Sequence, residues 1–315
     1  MRPRLIWSLG NRRLNGNVHS PFVYDMFYLS IQTAKALGYR TVFYGTHDAV
    51  AIIGKWVDES YDVTNKVPYI LYDDIKAWIW YNEPNGTTID ADVFLYNKLH
   101  FRSNQDVDDI NVSKDIDLSN LAFSQPHISS NSSPVILRYE EFASAPPTGN
   151  VLDALNHFNS MNPKSVIPEW DYNSVSSLNT GIIGWNANDN GFRKYYCESY
   201  VKLREWYFKN ENKLSSLHPM LQRHDSVVCH FICERLLFNL VKYHNIKTDE
   251  LTGNVDNHYI HLKGGNKFKD KEFIHSVKTL VDYHKSNGGF IKNNHNYLAG
   301  QNKIKPFLFL RDKRT

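Results

Sequence analysis

Two short stretches, far apart in the chain, carry residue types that together could hold a metal ion and neutralise a diphosphate. Thr87-Thr-Ile-Asp-Ala-Asp-Val-Phe-Leu95 places Asp90 and Asp92 after an apolar residue and before an apolar run, where a buried strand surfaces. Carboxylates at i and i+2 of an extended segment share one face, and oxygen ligands of this kind bind Mg²⁺ or Mn²⁺. His261-Leu-Lys-Gly-Gly-Asn-Lys267 offers an imidazole to the same metal, a backbone turn at Gly264 and Gly265, and the Lys267 ammonium for phosphate oxygens. Taken singly, each stretch also reads as surface: a solvated strand-end pair, and a Gly-Gly turn with incidental charges. Combined, they supply what a diphosphate leaving group needs while an adjacent C–O bond breaks.

The elements that must position these groups alternate in type. Leu5 to Ser8 reads as a first buried strand. Residues 22–37 carry Phe22, Met26, Leu29, Thr33, Ala36 and Leu37 near helical spacing, with Gly38 as the stop. Thr41 to Tyr44 is a second strand, Asp48 to Ile53 starts a second helix, and Ile75 to Tyr81 is a third helical piece before Thr87. Short strands alternating with helices predict an α/β protein with a doubly wound sheet. In such sheets ligands bind beyond the carboxyl ends of the strands. Ser8, the loop from Tyr44 through Thr46 to Asp48, and Asp90 with Asp92 all fall at predicted strand ends, so they are expected to converge on one crevice.

Further along, residues 103–133 are rich in Asp, Asn and Ser without periodicity and read as a loop or irregular insertion. A strand is expected near 134–140 and a helix near 150–160. Residues 191–213 and 226–243 read as long amphipathic helices whose aromatic and aliphatic stripes belong to the core. Between them and the insertion, Asn179-Thr-Gly-Ile-Ile-Gly184 is an apolar segment in which Gly181 and Gly184 permit close approach and Asn179 can both donate and accept hydrogen bonds. Asp189, in the loop behind it, reads either as a ligand for a hydroxyl or as a cap for the helix starting near Gly191. Trp185 reads as core, or as a stacking surface. Glu234 sits beside Arg235 in the apolar stretch Cys229-His-Phe-Ile-Cys-Glu-Arg-Leu-Leu237, either as a catalytic base or sugar-binding carboxylate or as an intrahelix or buried ion-pair partner. Cys229, His230, Cys233 and His224 have no matching pair elsewhere, so their spacing does not support zinc.

Composition bounds the rest. A chain of 315 residues, 42% hydrophobic, can bury a sizeable core in one large α/β domain, here read as a nucleotide-binding part over 1–100 and an acceptor side with the second motif over 101–315. No apolar run approaches the roughly 20 residues that cross a bilayer. The basic N-terminus lacks an apolar core or cleavage site for secretion, so a cytoplasmic protein with reduced thiols is expected. A net charge of +3 does not by itself imply nucleic-acid binding. Arg2, Arg4, Arg12 and Arg13, Lys263 to Lys271, and Arg311 to Arg314 are local basic clusters.

Ile89-Asp-Ala-Asp-Val-Phe94 together with His261-x-x-Gly264-x-x-Lys267 resembles the metal and diphosphate elements of A-type (GT-A fold) glycosyltransferases, the class that includes glycogenin and lipopolysaccharide galactosyltransferases. Leu5-Ile-Trp-Ser8, Ser30 to Tyr39, Asn179 to Gly184 and Tyr259-Ile-His-Leu262 are similar, in that order, to a family of predicted glycosyltransferases from bacteria and their viruses. The resemblance implies a GT-A-like mixed sheet with helical C-terminal elaboration. It implies Asp90, Asp92 and His261 on Mn²⁺ or Mg²⁺. Ser8, Tyr44, Thr46, Asn179, Gly181, Gly264 and Lys267 would line a nucleotide-sugar donor, UDP-linked above all. Glu234 or Asp189 would act as base if the enzyme inverts. The acceptor would be a glycan, a lipid-linked sugar or hydroxymethylated DNA, as in bacteriophage DNA modification; a binding protein without transfer activity is the remaining alternative. Residues 103–175 match no element of that pattern.

Overall fold

The computed structural model describes residues 3–10, 19–67, 72–95, 98–99, 137–139, 142–143, 150–174, 176–185, 191–250, 259–261 and 271–287. Its first half follows the predicted alternation closely: β1 (Arg4–Leu9), α1 (Pro21–Ala36), β2 (Arg40–Gly45), α2 (His47–Ile53), β3 (Glu59–Asp62), α3 (Tyr72–Asn82), β4 (Gly86–Ile89) and β5 (Val93–Leu95). After them come β6 (Leu137–Tyr139), β7 (Phe142–Ala143), α4 (Asn150–Ser160), β8 (Ser177–Leu178) and β9 (Ile182–Trp185). The C-terminal part holds α5 (Phe192–Lys209), α6 (Glu211–Leu217), α7 (His224–Val227), α8 (Leu236–Tyr243), β10 (Thr248–Glu250), β11 (Tyr259–His261) and α9 (Lys271–Asn287).

Seven strands form one mixed sheet in the order β10-β6-β9-β4-β1-β2-β3. Pairing is parallel between β1 and β2, β1 and β4, β2 and β3, and β6 and β10, whereas β9 runs antiparallel to both neighbours, β4 and β6. This is the α/β mixed sheet that the A-type resemblance implied. The sheet crosses the boundary drawn near residue 100, because β9 and β6 extend the layer that β4 begins.

Alternation along β1 shows why helices cover both faces. Leu5, Trp7 and Leu9 join Phe43, Ile89 and Ile182 in a core under α1 and α2, while Ile6 joins Val42, Ile183 and Trp185 in a larger core under α3, α5 and α8. A strand buried on both sides reads as a continuous apolar run, which is how Leu5-Ile-Trp could be recognised. α1 starts with Pro21 at its first turn, where a missing N–H costs nothing, and ends before Gly38, whose φ of +85° suits the left-handed exit. α5 is tied to α3 through buried Asp74, which accepts from Tyr200 Oη at 2.9 Å and Arg204 Nη2 at 2.7 Å.

Three elements depart from the sequence expectation. β3 is an exposed edge strand whose Glu-Ser-Tyr-Asp composition carries no apolar signal. The helix expected over 191–213 breaks at Asn210, where α6 takes over. The helix expected over 226–243 is not uniform: α7 passes into a π-helical segment, Val228–Arg235, before α8. The insertion at 103–133 lies outside the described residues. Among the described residues no helix is long and apolar enough to cross a membrane.

Candidate metal centre

β4 delivers the carboxylates. Its register with β1 pairs Leu5 with Thr87 and Ile6 with Thr88, so Asp90 emerges at the carboxyl end of the sheet, level with Ser8. The expectation of an extended Asp-x-Asp segment is corrected here. Val93 N donates to Asp90 O at 3.1 Å, which makes Asp90-Ala91-Asp92-Val93 a turn linking β4 to β5. α1 fixes that turn from beneath: Ser30 Oγ accepts from Trp7 Nε1 at 2.9 Å and donates to Val93 O at 2.6 Å. Thr33 Oγ1 accepts from Leu95 N at 3.2 Å. Polar residues at these buried α1 positions thus pay for the backbone groups of a strand that the sheet does not pair.

β5 pairs instead with β11, antiparallel, with His261 opposite Val93. That register brings His261 to the turn across 168 positions of sequence. Ligand atoms of Asp90, Asp92 and His261 lie within 4.8 Å of one another. His261 Nε2 and Asp92 Oδ1 are 3.5 Å apart, too long for a strong charge-assisted hydrogen bond and suited to two ligands sharing one cation. Two carboxylates and an imidazole, all partly buried, are a donor set that fits a divalent cation.

Asp90 has a second partner that the sequence reading missed. Lys76 of α3, 1% exposed, donates from Nζ to Asp90 Oδ1 at 2.9 Å and to Thr180 O at 3.0 Å. An ammonium so buried must be paired. Its signal in the sequence was spacing: Asp73, Lys76 and Trp80 recur at helical intervals among apolar residues, so two charged residues share the buried stripe of α3. Asp90 N also donates to Gly181 O at 2.8 Å, and Asn179 Oδ1 accepts from Gly181 N at 2.8 Å. The Asn-Thr-Gly segment therefore meets the carboxylate turn directly, with the Asn179 carbonyl oxygen engaged in a local turn.

Behind Thr180 stands the π-helical segment. Cys233 Sγ lies 4.0 Å from Thr180 Oγ1. Glu234 takes an intrahelix partner, as one sequence reading had it, and that partner is His230 rather than the neighbouring Arg235: its Oε2 is 3.3 Å from His230 Nδ1. Arg235 turns inward, donating to the backbone carbonyls of Asp171 at 2.8 Å and of Ser174, and burial pulls its guanidinium pKa down to about 10. Burial also pushes the Asp73 carboxyl up, against the opposing charge of Lys76, and pushes the Cys229 thiol well up. His230 is raised because Glu234 accepts from it, more than burial opposes.

The other expected donor residues divide. Ser8 is buried beside Tyr44 in the β1–β2 register, and Thr46 follows β2 with its N–H donating to Leu9 O at 3.2 Å, both at the carboxyl end of the sheet. The Tyr44 hydroxyl does not face that end. It donates to Glu83, just past α3, and its ring stacks on Tyr61 at 4.8 Å, so it belongs to a packed network with Arg4. Trp185 is core rather than a stacking surface: Nε1 donates to Glu83 O at 3.0 Å and the ring packs against Trp80. Asp189, Gly264 and Lys267 lie outside the described residues, as do the basic termini other than Arg4.

No protein-family model matches the chain, and no curated protein matches it by sequence. Among solved structures, the chain is similar to mouse xyloside xylosyltransferase 1 in its apo form, at 9% identity over 79% of this chain and 84% of that one, with a TM-score of 0.34. It is also similar to the PaToxG glycosyltransferase, at 10% identity over 99% of this chain and 88% of that one, with a TM-score of 0.37.

Proposed function

We propose that this chain is a metal-dependent glycosyltransferase that moves a sugar from a nucleotide-sugar donor, UDP-linked, to a hydroxyl acceptor. The observation that carries the reading is the β5–β11 pairing, which sets His261 beside Asp90 and Asp92 at the carboxyl end of the sheet. Asp90, Asp92 and His261 would hold Mn²⁺ or Mg²⁺, which supplies charge neutralisation for the departing diphosphate. Lys76 keeps the Asp90 carboxylate oriented. Ser8, Thr46, Asn179 and Gly181 line the donor side of the same end, and Gly264 and Lys267 add backbone and charge for the phosphates. Asp189, or Glu234 where no cation holds it, is the base on the acceptor side if transfer inverts. The acceptor is a glycan, a lipid-linked sugar or a modified base.

A thermal-shift screen of nucleotide sugars with Mn²⁺ tests this directly. A cognate donor at a hundred times its dissociation constant adds about 2.7 kcal/mol of stability. Stabilisation should require Mn²⁺ and vanish in Asp92→Ala. A shift that persists without metal, or unchanged transfer by Asp92→Ala, overturns the reading; metal-dependent binding with no transfer or donor hydrolysis makes the chain a binding module instead.

A further inference from the structure

The segment between α7 and α8 gathers a second set of metal-ligating groups. π-Helical turns are rare and recur at functional sites, where the altered winding re-aims side chains. Here the turn brings Cys229, His230 and Glu234 together: sulfur, imidazole nitrogen and carboxylate oxygen lie within 4.8 Å of one another. His230 Nδ1 and Glu234 Oε2 are 3.3 Å apart. Two ligands bound at about 2.0–2.1 Å in a tetrahedron around zinc stand about 3.3 Å from each other, so this pair is already at ligand separation.

A second observation comes from α3. Asp73 feels the opposing charge of Lys76 first, then the charges of Glu234 and His230, with the weakly donating Cys233 thiol alongside. It is 6% exposed, and its Oδ1 is buried with no hydrogen-bond partner. A buried carboxylate oxygen left in that condition is costly; Lys76 offsets part of the cost, and a metal cation at the Glu234 side would offset more.

We propose that Cys229, His230 and Glu234 form a second cation site, for a divalent ion of the zinc type, with Asp73 as the buried anion beside it. The two sites divide metals by ligand chemistry. Asp90, Asp92 and His261 are mostly hard oxygen donors, suited to Mn²⁺ or Mg²⁺; a thiolate with an imidazole and one carboxylate selects zinc. Binding releases the Cys229 proton to solvent, and nothing is oxidised or reduced. Three protein ligands leave a fourth position for water or for an oxygen of a bound molecule. The sites are neighbours through the chain of contacts from Cys233 to Thr180 to Lys76 to Asp90.

Cobalt titration of the chelator-stripped full chain tests the proposal. Co²⁺ should give a thiolate-to-cobalt charge-transfer band in the near ultraviolet that saturates at one equivalent and is bleached by Zn²⁺. Cys229→Ser should abolish the band while a folded protein, checked by near-ultraviolet circular dichroism, still binds Mn²⁺. Asp73→Asn should weaken Co²⁺ binding about 10–100-fold, as removal of a supporting carboxylate does. Asp92→Asn should leave the band intact, which separates failure here from failure of the donor-site reading. No band in the unmodified chain, a band that survives Cys229→Ser, or one lost in Asp92→Asn overturns the proposal. If Cys229→Ser does not fold, half-exposed His230→Asn serves instead: the band should need at least about tenfold more Co²⁺, and unchanged affinity overturns the proposal.

Discussion

Asp90 and Asp92 are expected to fail differently when each is replaced by alanine. Both substitutions remove a metal ligand, so both should abolish metal-dependent donor binding. Only Asp90→Ala also takes from the buried Lys76 ammonium its 2.9 Å carboxylate partner; the Lys76 side chain is 2% exposed against 22% for Asp90. Breaking a buried ion pair from one side costs about 3–5 kcal/mol. The partial exposure of Asp90 and the remaining bond from Lys76 to Thr180 O place this case near the lower end, about 3 kcal/mol. At about 2–4 °C per kcal/mol for a chain approaching this size, Tm should fall by about 6–12 °C. The partner that Asp92 faces is the His261 imidazole at 3.5 Å rather than a buried ammonium, so Asp92→Ala should shift stability by no more than about 1 kcal/mol. Thermal denaturation in excess chelator removes metal binding from the comparison. Adding Lys76→Met to Asp90→Ala should restore much of the lost stability, since the uncompensated charge is then gone. Equal Tm losses for the two alanine variants, or no recovery in the double variant, would refute the role given to Lys76.

Two further outcomes follow from the scaffold. Gly86 has a φ of +154°, and a Cβ there would meet Ile6 Cδ1 at 2.7 Å, so Gly86→Ala should cost about 1–3 kcal/mol in a urea titration; an unchanged midpoint would show that β4 enters the sheet otherwise. Asp58 is lightly desolvated, which alone would raise its pKa, but the Thr41 amide at 2.8 Å, the Thr41 hydroxyl at 3.0 Å and Lys35 together hold it below the usual value. A depressed folded-state pKa contributes stability that is present above about pH 3.9 and lost as pH falls through the folded value. Asp58→Asn should therefore flatten the stability profile on the acid side of pH 4, and an identical acid limb would contradict the clamp.

β1 and β2 were legible because their apolar runs are buried on both faces, and α1 and α2 because each is followed by a glycine, Gly38 and Gly54. β3 was not, since an exposed edge strand needs no apolar residues. Asp90 and Asp92 were legible as a pair, but their turn was not: it depends on Ser30 and Thr33, which in sequence only interrupt the stripe of α1. His261 could be proposed as a partner from the resemblance, whereas its register opposite Val93 is a long-range pairing that no local pattern encodes. Lys76 and Asp73 were hidden in an apolar stripe, where charge is rare and so most informative. Cys229 and His230 were discounted because no matching ligand pair stands elsewhere in the sequence; the π-helical winding that sets Glu234 beside them carries no such spacing signal.

The central claim is that Asp90, Asp92 and His261 share one divalent cation. Anomalous diffraction from crystals grown with Mn²⁺ and UDP measures this most directly. A single strong manganese peak should lie within bonding distance of all three side chains, with the UDP diphosphate on the same ion. A peak held elsewhere, or UDP bound with no manganese between it and Asp92, would contradict the claim.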